Sequence, residues 1–73
     1  MSVQLTERGY QEKIKAAKNV ARLRNKPICV CTWDYADSRK RGLWPLDDIG
    51  EEFEAFCGIV ECTVYPDGYI SED

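Results

Sequence analysis

Four cysteines, Cys29, Cys31, Cys57 and Cys62, come nearest to recognisable chemistry in this chain of 73 residues. Four thiolates suit a tetrahedral zinc ion, and an even number suits disulfides. If Cys29 and Cys31 sit on a strand they share one face. Same-face neighbours on a strand lie about 7 Å apart, however, and would have to distort to ligate one ion, whereas structural zinc sites usually hold their cysteines in a tight knuckle. Free cysteine packs readily as a small buried hydrophobe. No uninterrupted apolar run opens residues 1–15, so a reducing, cytosolic setting is expected and disulfides are not. The spacing therefore favours core thiols over a metal site.

The chain has no histidine, which removes the commonest general base and any Cys–His or Ser–His couple. Asp47 with Asp48 and Glu51 with Glu52 are adjacent acids that could in principle do acid–base work. Nothing in the sequence promises a pocket to raise the pKa of one of them, and no phosphate loop, metalloprotease or dinucleotide motif is present. A protein that is not an enzyme and uses no cofactor is expected.

Charge is distributed unevenly. The net charge is −3. Residues 1–41 hold all ten basic residues against Glu7, Glu12, Asp34 and Asp37, for +6; residues 42–73 hold nine acids and no base, for −9. Either the two halves neutralise one another across the fold, or one or both charged faces are contact surfaces. Lys13, Arg22 and Arg24 lie on a basic helix, and Arg39, Lys40 and Arg41 sit near Tyr35 and Trp44, so phosphate contacts with stacking are conceivable. A sequence pI near 4.9 opposes autonomous nucleic-acid binding, and contact through a larger assembly fits the composition better.

These groups must be positioned by a few elements. Apolar residues make up 44% of the chain and charged residues 32%, as in a folded domain. A chain this short buries about 60% of its unfolded surface and supports one core. Residues 1–73 are thus one domain, with 1–5 as a candidate flexible tail. No run approaches the roughly 18 apolar residues of a membrane span. Thr6 can cap a helix in which Tyr10, Ile14, Ala17 and Ala21 recur at helical spacing, with Leu5 and Tyr10 as a hydrophobic staple and Asn25 and Pro27 closing it.

Residues 27–33 read as a strand apolar on both faces. The charged segment 34–42 reads as a solvated loop. Pro45 opens a short second helix whose stripe is Ile49, Phe53 and Phe56, and Gly58 ends it. Residues 59–65 read as a strand with Val60, Cys62 and Val64 on one side. Pro66-Asp67-Gly68 turns the chain into a return strand at 69–71. The expected fold is α+β: an N-terminal helix packed on a small antiparallel three-stranded sheet, with a second short helix.

Trp33, Trp44, Tyr10, Tyr35, Tyr65 and Tyr69 exceed what so small a core can enclose, and Trp, Tyr and Arg dominate interface hot spots. With the basic helix of residues 13–24 set against the acidic segment 47–54, the chain resembles, in size and plan, the small early proteins with which bacteriophages bind and redirect host machinery, especially RNA polymerase. That resemblance implies a cytoplasmic regulator acting on a protein partner by surface occupancy. Val3, Leu5, Glu7, Tyr10 and Ile14 would bind the partner, and Lys13, Arg22, Arg24, Arg39, Lys40 and Arg41 would lie near nucleic acid. Two alternatives are a zinc-stabilised nucleic-acid-binding module and an acidic mimic of nucleic acid.

Overall fold

The computed structural model describes residues 5–72. Helix α1 (Glu7–Arg24) is followed by strands β1 (Ile28–Tyr35) and β2 (Ser38–Pro45), a single 3-10 turn (Leu46–Asp48), helix α2 (Glu51–Ala55), and strands β3 (Ile59–Val64) and β4 (Ile70–Ser71). All neighbouring strands are antiparallel, in the order β2-β1-β3-β4. The class is α+β, with four strands where three were expected.

The ends of α1 follow from its sequence. The Thr6 side chain accepts a hydrogen bond from the Gly9 N–H at 3.1 Å, and Asn25 adopts the left-handed conformation (φ 54°) that lets the chain leave the helix. Ile14, Ala17 and Ala21 are buried with Ile28 and Val30 of β1 and Cys62 and Val64 of β3. Two alanines with no exposed surface keep this contact close.

The extra strand is β2, which occupies most of the segment expected to be a loop. Ala36 (φ 48°) and Asp37 (φ 66°) both take positive φ, as a two-residue hairpin turn of the primed type demands. Ser38 Oγ donates to the Tyr35 carbonyl across the turn. Such turns are usually announced by Asn-Gly or Asp-Gly, and Ala-Asp carries no such signal. Arg39-Lys40-Arg41 also hides the strand, because three consecutive charges look solvated. In the fold Arg39 and Arg41 are partly covered by internal partners. Pro45 is the last residue of β2 and leads directly into the 3-10 turn, whereas α2 begins only at Glu51.

A second departure sits in β3. Val30 lies opposite Cys62 and Cys31 opposite Val60, so Glu61 is an extra, bulged residue. The bulge reverses the alternation: Cys62 and Val64 face α1, while Val60 packs with Cys29 and Cys31 on the other face. That second face is covered by Phe53 of α2 together with Trp33, Trp44 and Ile49. The helix α2 ends through Cys57, which takes positive φ (55°), and not through Gly58. Gly58 is needed for space, since a Cβ there would fall 2.5 Å from the Phe53 ring.

Gly42 serves the same purpose for Trp33. A Cβ at position 42 would lie 2.5 Å from the Trp33 indole, which in turn meets Trp44 edge-on with centroids 6.0 Å apart. Gly42→Ala should therefore displace Trp33 and destabilise the fold by about 1–3 kcal/mol, as overpacking does. Urea unfolding followed by tryptophan fluorescence checks this; an unchanged midpoint would contradict the packing described.

Candidate functional site

The cysteines do not converge. Cys29 and Cys31 face α2, Cys62 faces α1, and Cys57 is exposed at the end of α2. Among the described residues no group of three or more metal-ligating side chains is arranged to hold an ion. Cys29 Sγ lies 3.5 Å from Thr63 Oγ1. Its hydrogen bond with Cys31 makes Cys29 the more acidic of the two thiols, and the same contact, together with burial, pushes Cys31 up. Neither has exposed surface through which a reagent or substrate could reach it.

A polar node replaces what had looked like a basic loop. Arg41 reaches across the α1 face of the sheet, donating from Nη1 to the Thr6 carbonyl at 2.6 Å and from Nη2 to Glu61 Oε1 at 3.3 Å. Its Nε is 3.3 Å from Glu61 Oε2 but is not aligned for a hydrogen bond. The guanidinium also lies over the Tyr10 ring at 5.2 Å. Burial of the Tyr10 hydroxyl comes second to its hydrogen bond with Cys62 in pushing its pKa upward, so Tyr10 stays neutral. The β3 bulge is what aims Glu61 at this node, and the node fastens the start of α1 to the sheet.

Arg39 is similarly occupied. Its Nη1 donates to Asp34 Oδ1 at 2.8 Å and to the Cys57 carbonyl at 3.1 Å, and its Nη2 donates to Thr32 Oγ1 at 3.0 Å. It thereby ties the β1–β2 hairpin to the end of α2. Of the three consecutive cations only Lys40 is exposed.

The expected partner-binding residues lie together at the start of α1 and differ in exposure. Ile14 is buried in the core at 8% exposure, and Tyr10 is half-buried and packs against that core. Leu5 is half-buried and Glu7 exposed; Val3 lies outside the described residues. Lys13, Arg22 and Arg24 are exposed on α1.

What the fold does bring together is charge. Lys13, Lys15, Lys18, Arg22 and Arg24 are exposed on α1, and none lies in an ion pair among the described residues. Glu51, Glu52 and Glu54 are exposed on α2, behind the sheet, and are equally free of such pairs. Between the two faces, Arg24, Lys26, Asp47 and Asp48 line an open cleft of about 390 Å³ with Ile28 and Pro45, and Lys26 meets Asp47 at 3.5 Å. Among the described residues, the ion pairs that join the two halves of the chain are Lys26–Asp47 at this rim and Arg41–Glu61. Lys15 and Lys18 complete the basic face at helical spacing with Arg22.

No protein-family model, curated protein or solved structure matches the chain.

The arrangement of thiols has a direct consequence. Cys57 should react with a thiol reagent in the folded protein, while Cys29, Cys31 and Cys62 should react only after denaturation, because burial shields them. Mass spectrometry of alkylated peptides checks this, and modification of Cys29 or Cys31 under native conditions would contradict the placement.

Proposed function

We propose that this protein is a non-enzymatic regulator that occupies a surface of a larger assembly handling nucleic acid, with bacterial RNA polymerase the first assembly to test. The observation that carries this reading is the pair of oppositely charged helices on opposite faces of one thin sheet. A domain so built can meet a basic protein surface through Glu51, Glu52 and Glu54 while its α1 cations point the other way. The open cleft at the rim is lined by mutually compensating charges, Arg24 and Lys26 against Asp47 and Asp48. Its chemistry suits contact better than turnover.

A second reading, the acidic mimic, is favoured because Glu51, Glu52 and Glu54 form no ion pair among the described residues. Binding of the labelled protein to purified RNA polymerase at moderate salt, measured by anisotropy, separates the cases. The parent is expected to bind with saturation. Combined Glu51→Lys and Glu52→Lys should weaken binding at least about tenfold, as loss of charge complementarity at a contact does. If the α1 cations can be reversed with no loss as well, the mimic reading is supported over a two-faced regulator. Absence of saturable binding to the polymerase would overturn RNA polymerase as the partner.

A further inference from the structure

We infer that α1 binds duplex DNA directly, through its solvent face, without any protein partner. This goes beyond the regulator proposed above and can succeed or fail apart from it.

The geometry of α1 supplies the first reason. At about 100° per residue, Lys15, Lys18 and Arg22 fall within an arc of roughly 60° on one flank of the helix, and Lys13 and Arg24 fall together on the other. Between the flanks runs a crest of Ala16, Asn19 and Leu23, directly opposite the buried line of Ile14, Ala17 and Ala21. The cations are therefore in two rows with an uncharged ridge between them. The B-DNA major groove, about 12 Å wide, admits one α-helix and is walled on both sides by phosphates. Two cationic rows flanking a neutral crest match that cross-section. From Lys13 to Arg24 the helix rises ~17 Å, enough to run along the groove past several phosphates of each strand.

Leu23 supplies the second reason. It is 82% exposed, the most exposed of the large apolar side chains described, and it sits on the crest where an apolar group would meet thymine methyls. Asn19, beside it, accepts a hydrogen bond from Arg22 Nη2 at 3.3 Å and carries an amide suited to base edges. Glu12 also lies along the crest, but toward the N-terminal end, where Arg8 pairs with it at 3.5 Å. The usable stretch is consequently residues 13–24.

The chain's overall acidity had argued against this binding, and the fold weakens that objection. Glu51, Glu52 and Glu54 are separated from the α1 crest by the sheet and the helix itself, two layer spacings of about 10 Å each. That exceeds the Debye length of about 8 Å at physiological salt, so their repulsion of a phosphate backbone at the crest is largely screened. Asp47 and Asp48 are nearer, at the Arg24 end, and Asp47 is already paired with Lys26.

Duplex DNA is favoured over other polyanions. Single-strand binders stack bases on aromatic side chains, and the α1 solvent face has none; the Trp33, Trp44 and Phe53 rings lie on the opposite face of the sheet. Duplex RNA hides its major groove from a helix.

Fluorescence anisotropy of a labelled 24-base-pair DNA duplex, titrated with the full chain, tests the inference. With four or five phosphates neutralised, log K should fall with log salt at a slope of about −4, and non-specific dissociation constants of about 10⁻⁴–10⁻⁶ M are expected. The combination Lys15→Glu, Lys18→Glu and Arg22→Glu should reduce binding by at least about 100-fold at low salt while far-UV circular dichroism keeps the parent's signal. Glu51→Gln with Glu52→Gln should leave it within about twofold, because those acids are screened. Unchanged DNA affinity in the folded triple variant would overturn the inference. So would an absence of duplex binding at low salt, or tighter binding to single-stranded DNA, duplex RNA or vesicles of anionic lipid than to the DNA duplex.

Discussion

Everything in this fold follows from one strand that is apolar on both faces. From Ile28 to Thr32, β1 is buried without interruption, so it needs a hydrogen-bonded neighbour on each edge and a cover on each face. The neighbours are β2 and β3; the covers are α1 and α2. A domain of this size cannot build two thick layers, and the two covers are unequal. One is an 18-residue helix, and the other is a 5-residue helix reinforced by Trp33, Trp44 and Ile49. Charge follows from the same constraint. The basic sequence half supplies the cover on one face and the acidic half the cover on the other, so the asymmetry of the chain becomes an asymmetry across the sheet.

The features readable from sequence were those fixed by local chemistry. Thr6 at the start of α1 and Asn25 at its end each act within one helical turn, and both lie where their types require. The turn at Pro66-Asp67-Gly68 is equally local: Gly68 takes φ 94° and Asp67 Oδ1 accepts from the Tyr69 N–H. The double-faced apolarity of residues 27–33 announced a central strand. The features that were hidden depend on partners that only the folded hairpin or the sheet brings together. Arg39 and Arg41 look like solvated loop charges until Asp34, Thr32, Cys57 and Glu61 are brought to them.

The bulge at Glu61 shows why alternation alone misplaced part of the candidate site. A regular strand puts Val60, Cys62 and Val64 on one face, and period-2 reasoning has no way to anticipate one inserted residue. Yet that insertion does two things at once. It sends Val60 to the face of Cys29 and Cys31, and it turns Glu61 toward Arg41, where the pair holds the start of α1. Residues that sequence reasoning set aside for a partner, Tyr10 and Ile14, are occupied in the same neighbourhood. The exposed cations of α1 were legible as a basic helix, but their division into two flanks and their distance from the α2 acids required the fold.

The two-sided cover of β1 is the claim on which the separation of charge depends. Nuclear Overhauser contacts in the isotopically labelled protein test it most directly. Phe53 ring protons should contact the β-protons of Cys29 or Cys31, and Ala17 or Ala21 methyls should contact Val30, placing the two helices on opposite sides of one strand. Contacts from Phe53 to Val30 or Val64 would put both helices on one face and contradict the account.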